Sequence, residues 1–194
     1  MSETTKIGWI GTGIMGSSMC SNIIKAGYQV LVNTRTKAKA EKLISLGAIW
    51  CDTPSVLAKQ SNVICSIVGY PEDVKEIYLG KDGVFNSIRP SSIVIEMTTS
   101  EPSLARELYA IAKTKQVSML DAPVSGGDIG AREATLSIMV GGDLSAFDEV
   151  NPILKVMGKN IAYMGESGAG SHTKMSNQIL IASTMIGVIE SLLY

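Results

Sequence analysis

Ile7-Gly8-Trp9-Ile10-Gly11-Thr12-Gly13-Ile14-Met15-Gly16 is the stretch whose reading decides the fold. Ile7 to Ile10 is an apolar run of strand length, and Met15 to Ala26 spaces its apolar residues as a helix does. Between them lies the pattern GxGxxG, at Gly11, Gly13 and Gly16. Alone the pattern is weak, but between a strand and a helix each glycine has a task. Gly11 permits a tight turn, Gly13 lets the backbone approach a pyrophosphate, and Gly16 lets helix and strand pack closely. Phosphates then meet the helix N-terminus, where unpaired N–H groups and the helix dipole favour negative charge. With Thr12, Ile14 and Met15 completing the loop, residues 11–16 form a candidate dinucleotide cradle.

Outward from this loop, strands and helices alternate. Strands are expected at Gln29–Val32, Asn62–Val68, Ser92–Glu96, Val117–Asp121, Thr135–Val140 and Asn160–Met164. Helices are expected at Lys37–Leu46, Glu72–Leu79, Pro102–Thr114 and Asn151–Met157. Alternation at this spacing implies βαβ units, because parallel strands need a crossover of about that length. The fold class is α/β: a Rossmann-type, doubly wound, mainly parallel sheet followed by the start of a long interdomain helix. Residues 1–165 read as the dinucleotide-binding domain and 166–194 as that helix. Ser171 is placed as its N-cap, and no Gly, Asn or Pro closes it before Tyr194. Its apolar residues, from Met175 through Leu193, surround most of the circumference, so a further layer is expected to cover it.

Composition narrows the function. Net charge is −1, with 18% charged and 45% hydrophobic residues, which gives no field suited to nucleic acid or an anionic membrane. The polar N-terminus lacks a signal-peptide pattern, and Lys174, Asn177, Gln178 and Glu190 interrupt the last helix as a membrane span. The expectation is a cytoplasmic protein with no membrane or nucleic-acid partner. Cys20, Cys51 and Cys65 show no paired spacing and read as reduced, packed thiols. No His/Cys/carboxylate cluster has metal-ligand spacing.

The cofactor is refined by Val32-Asn33-Thr34-Arg35-Thr36-Lys37. An acidic residue holding the ribose 2′-OH is usual here, but Thr34 stands in its place and Arg35 and Lys37 follow. No carboxylate repels a 2′-phosphate at that position and two cations attract one, so NADP(H) is favoured, with NAD(H) possible if Arg35 only stacks on adenine.

Two further stretches carry chemistry. In Asp121-Ala122-Pro123-Val124-Ser125-Gly126-Gly127 a strand leads into a Gly-rich turn; the Ser125 hydroxyl and the Gly126 and Gly127 N–H groups suit a substrate carboxylate. In Ser171-His172-Thr173-Lys174-Met175-Ser176-Asn177, Lys174 and Asn177 share one helix face. A place in the first helical turn plus partial burial should lower the Lys174 pKa towards general acid–base use. His172 is rotated away from that face by about 200°.

Together, GWIGTGIMGSSMCSNIIKAGY, DAPVSGGDIGA and GAGSHTKMSNQ resemble the β-hydroxyacid dehydrogenase family. It includes 3-hydroxyisobutyrate dehydrogenase, tartronate semialdehyde reductase, glyoxylate/succinic semialdehyde reductases and, more distantly, 6-phosphogluconate dehydrogenase. The resemblance implies that Gly11 to Gly16 bind the pyrophosphate, that Val68 and Gly69 flank the cofactor, and that Thr99 touches its nicotinamide side. It implies that Ser125, Gly126 and Gly127 hold a small carboxylic-acid substrate, that Lys174 is the catalytic lysine, and that Asn177 orients the substrate. The family usually carries Pro where Gly69 stands. Imine-reducing relatives replace the lysine, so its presence implies hydroxyacid or semialdehyde chemistry. The resemblance further implies a homo-oligomeric parent with an all-helical C-terminal domain absent from these residues. The alternative is a non-catalytic dinucleotide-binding module or a truncated, inactive fragment.

Overall fold

The computed structural model describes residues 5–194. Its strands are β1 (Lys6–Ile10), β2 (Gln29–Asn33), β3 (Ile49–Trp50), β4 (Val63–Ser66), β5 (Ile93–Glu96), β6 (Ser118–Asp121), β7 (Val124–Ser125), β8 (Leu136–Gly142) and β9 (Gly158–Gly165). They form one sheet in the order β3-β2-β1-β4-β5-β6-β8-β7, with β9 also paired to β8. From β3 through β6 every pairing is parallel. The chain then reverses: β6 and β7 run antiparallel along β8, Leu120 opposite Gly142 and Ser125 opposite Ser137, while β9 pairs parallel to β8. The mainly parallel sheet expected from the sequence is present.

The helices are α1 (Ile14–Lys25), α2 (Glu41–Ser45), α3 (Pro54–Gln60), α4 (Pro71–Leu79), α5 (Pro102–Thr114), α6 (Gly127–Glu133), α7 (Leu144–Leu154) and α8 (Ala169–Leu193). Strand side chains alternate between two cores. Ile7, Trp9, Val30, Val32, Cys65 and Ile95 face one side, where Met19 and Ile23 of α1 and Val150 and Leu154 of α7 cover them. Ile10, Leu31, Ile64 and Val94 face the other, beneath Leu57 of α3, Tyr78 of α4 and Leu108 of α5. Helices on both faces make the sheet doubly wound. Each large side chain fully buried in these layers contributes about 1.5–3 kcal/mol.

Several expectations change in detail. Lys37–Leu46 is a 3₁₀ turn over Lys37–Ala40 followed by the short α2. The helix expected at Asn151–Met157 is α7, which begins seven residues earlier behind Asp143 and carries Pro152 in its final turn. The reason is a helical row, Phe147, Val150 and Leu154, that buries against the sheet. β3, α3, β7 and α6 were not anticipated, and the Gly-rich turn after Asp121 resolves into β7 and α6.

The last helix opens at Ala169, with Gly168 at its N-cap in a left-handed conformation (φ +89°), so Ser171 is not the cap. Asp121, at the end of β6, caps it from a distance: its two carboxylate oxygens accept the N–H groups of Gly168 (2.8 Å) and Ser171 (2.7 Å). The first two turns of α8 pack on the sheet, burying Gly170, Ser171 and Lys174. Beyond Lys174 only Asn177 is partly covered; Ile179, Leu180, Met185, Ile186 and Leu192 are among the exposed residues. By length and composition alone α8 is apolar enough to cross a membrane, despite its polar interruptions.

Candidate functional site

The glycine loop is shaped as its residue types demand. Gly11 has φ +98°, and a Cβ there would collide with the Ile67 carbonyl oxygen. A Cβ at Gly16 would strike the Gly11 carbonyl oxygen, whereas one at Gly13 would meet nothing within 4 Å. Two glycines thus serve close packing and the third faces open space. The buried indole of Trp9 donates to the Gly11 carbonyl (2.8 Å), and the Gly11 N–H donates to Asn33 on β2 (3.0 Å), fixing the loop to two strands. No side chain caps α1, and the Thr12 hydroxyl is buried without a hydrogen-bond partner. This cradle fits an anionic pyrophosphate: free helix N-terminal N–H groups, an orphaned hydroxyl and a glycine that leaves room.

The loop forms the floor of a cleft of about 1180 Å³ at the carboxyl ends of β1, β2, β4 and β5. Open parallel sheets bind ligands in this position, where the strand order reverses on either side of β1. Every residue expected to touch the cofactor lines it: Gly11, Thr12, Gly13, Ile14, Met15, Gly16, Thr34, Arg35, Val68, Gly69 and Thr99. Arg35 is exposed and forms an ion pair with Asp73 (2.8 Å). Lys37 lies over the Trp50 ring, 5.4 Å from its centroid, and Lys39 lines the same end.

Sequence reading missed Thr98, which is buried on the cleft wall. Its hydroxyl accepts the Val68 N–H (3.0 Å) and its own N–H donates to the Glu96 carboxyl (2.8 Å), so it ties the loop after β4 to β5. It also missed Asp73, whose approach to Arg35 follows from tertiary folding across 38 positions. A short helix signal, Pro71 followed by Glu72 and Asp73, marked α4 but not what it faces.

The expected substrate-side residues lie beyond Val124, which lines the far end of the cleft. The Asn177 side-chain amide is 3.5 Å from the Ser125 hydroxyl, which brings β7 and α8 together. Gly126 (φ +134°) and Gly127 (φ +64°) follow in conformations that disfavour any side chain, and a Cβ on Gly127 would meet only open space. Lys174 lies nearly one helical turn before Asn177 and is only 7% exposed. Its ammonium has no hydrogen-bond or ion partner among the described residues, and burial pushes its pKa below the ordinary lysine value. The cause differs in part from the expectation, since Lys174 is the sixth residue of α8 and sits in its second turn. His172 is exposed and accepts from the Arg106 guanidinium at 2.7 Å.

Glu96 and Asp121 are both buried and stand in register on the adjacent strands β5 and β6. Burial raises Glu96 from 4.5 to about 8, against the opposing pull of its Thr98 hydrogen bonds. Burial also raises Asp121, opposed by the N–H groups of Gly168 and Ser171. The three cysteines are buried and unpaired. No group of three or more His, Cys, Asp or Glu among the described residues is arranged to hold a metal ion.

Comparison with known proteins places the chain in a family. Residues 6–165 match the family described as the NAD binding domain of 6-phosphogluconate dehydrogenase. The chain is 53% identical to an uncharacterized oxidoreductase, YkwC, of Bacillus subtilis, over 97% of this chain and 65% of that protein. It is 50% identical to the probable 3-hydroxyisobutyrate dehydrogenase-like 1 of Arabidopsis thaliana, a mitochondrial protein, over 99% of this chain and 58% of the relative. Among solved structures, the 3-hydroxyisobutyrate dehydrogenase of Mycobacterium tuberculosis with L-serine superposes with a TM-score of 0.91 at 31% identity, covering 97% of this chain and 64% of that one. The chain therefore spans about three fifths of the length of such relatives.

Proposed function

The chain belongs to the family of NAD-binding domains of the 6-phosphogluconate dehydrogenase type, and from that premise we propose that it is the cofactor-binding part of an NADP(H)-dependent β-hydroxyacid dehydrogenase. The observation that carries this reading is the largely buried Lys174, without an ion partner among the described residues, three positions before Asn177, whose amide is 3.5 Å from the Ser125 hydroxyl next to the cleft-lining Val124. A largely buried lysine whose pKa is lowered by desolvation and whose ammonium has no carboxylate beside it is suited to proton transfer.

In this reading residues 11–16 hold the pyrophosphate, Thr34, Arg35 and Lys37 receive the 2′-phosphate, and Val68, Gly69 and Thr99 flank the rest of the cofactor. A bound nicotinamide supplies or accepts the hydride. Ser125, Gly126 and Gly127 orient a small substrate by its carboxylate, and Asn177 orients the oxygen that changes hybridisation. Lys174 donates a proton to that oxygen as it gains negative charge, and its neutral amine removes the hydroxyl proton in the opposite direction. Its lowered pKa brings both forms closer to neutral pH. The L-serine in the M. tuberculosis structure is itself a small β-hydroxy acid, which supports this substrate class.

The proposal extends to the rest of the enzyme. The exposed apolar sides of α8 are the surface on which an all-helical C-terminal domain packs, completing the site and building a homo-oligomer. Residues 1–165 then form the nucleotide domain and 166–194 the beginning of an interdomain helix in a soluble, cytosolic enzyme. Anchoring of the first turns of α8 on the sheet supports this over a membrane span. Lys174→Ala in the full-length enzyme tests the catalytic role: turnover should fall by about 10²–10⁴-fold while the NADPH Kd stays within about threefold. Unchanged turnover would remove Lys174 from the mechanism.

A further inference from the structure

We propose that Asp73 sets cofactor preference by holding Arg35 in an ion pair that a 2′-phosphate must open, so that it weakens NADP(H) binding selectively. This rests on the reading that NADP(H) is the cofactor. Arg35 follows β2 on one lip of the cleft, and Asp73 stands in the first turn of α4 on the opposite lip. The Arg35 Nη1 to Asp73 Oδ1 distance is 2.8 Å, so the pair bridges the mouth.

The two partners are unequally held. The Arg35 side chain is 84% exposed and free to swing, while that of Asp73 is 21% exposed. The second oxygen of Asp73 accepts the Tyr70 N–H at 3.1 Å and lies 2.8 Å from where a Gly69 Cβ would stand. Gly69 therefore gives Asp73 its place, and any side chain at 69 would press on it. The carboxylate is preset by the turn into α4, and the arginine comes to it.

An incoming 2′-phosphate competes for the same guanidinium and is repelled by the carboxylate beside it. NAD(H) has only a hydroxyl at that position and gains little from a freed Arg35. The cost of opening the pair thus falls on NADP(H), and its size is that of an exposed ion pair with some like-charge repulsion added. Lys37 and Lys39, which line the same end, supply the attraction that remains while Arg35 is engaged.

The test is fluorescence titration of the chain with NADPH and with NADH. Asp73→Asn, which keeps an acceptor for the Tyr70 N–H, should tighten NADPH by about three- to tenfold and leave NADH within about twofold. Asp73→Ser should move the ratio the same way. In an Arg35→Ala background most of that gain should vanish, because the residues act as a pair. An unchanged NADPH/NADH ratio in Asp73→Asn, or a full gain without Arg35, overturns the proposal. If Arg35→Ala weakens NADPH at least about tenfold while Asp73→Asn does nothing, Asp73 alone is misassigned. If Arg35→Ala leaves NADPH untouched, the NADP reading falls and this proposal with it.

Discussion

At the scale of single residues, the least ordinary group is Glu96. Its carboxyl, raised to about 8 by burial, is mostly protonated at neutral pH inside the folded domain and ionised in the unfolded chain. Between about 4.5 and 8 the folded state binds a proton that the unfolded state has released, so folding stability falls as pH rises through that window and levels off above it. The raised Asp121 adds to the same slope from lower pH. Urea denaturation from about pH 5 to about pH 9 should show that decline. Glu96→Gln, which keeps an acceptor for the Thr98 N–H, should flatten most of it; an unaltered slope would contradict the assignment. None of this was legible in sequence. Glu96 reads there as the polar end of a strand, and only pairing with β6 sets it beside Asp121. The glycines are the opposite case, since Gly11 makes the tight turn and Gly16 the close packing that their spacing implied.

At the scale of elements, the joint between β6 and α8 seats the helix so that its Asn177 comes within 3.5 Å of Ser125 on β7. A helix that begins with Ala169 and Gly170 has no local cap, and Asp121 supplies one across 47 and 50 positions. Gly170 and Gly141 make the approach possible, because a Cβ on either would run into Asp121 atoms. Asp121→Ala should cost about 2–3 kcal/mol, from two buried N–H groups left unpaired, and should speed hydrogen exchange at Gly168 and Ser171. Exchange rates that stay at the unsubstituted level would show that α8 is held by packing alone. Long elements such as α1 and α5 were readable because they carry several periods of an apolar pattern. The short β3, β7 and α6 were not, since two to seven residues hold no period to count and their place is set by pairing or by neighbours. Asn22 of α1, for example, donates to Ala131 of α6 at 2.9 Å. The N-terminal signal of α8 misled for a similar reason: Ser171 has the residue type of a cap, but the tertiary carboxylate outcompetes it.

At the scale of the whole molecule, a sheet with two differently covered faces leaves one open edge of loops, and the cleft runs along it. The alternation of strands and helices was enough to infer that architecture, and the cleft-lining residues named from sequence all gather there. What sequence could not supply was the opposition of charges across the mouth, Arg35 from one βα unit and Asp73 from another. Whether this cleft takes a dinucleotide with a 2′-phosphate is decided by isothermal titration of the chain with NADPH and NADH. One site per chain is expected, with NADPH bound tighter than NADH by on the order of tenfold and the difference shrinking as salt is raised. Tighter binding of NADH, or no binding of either, would contradict it.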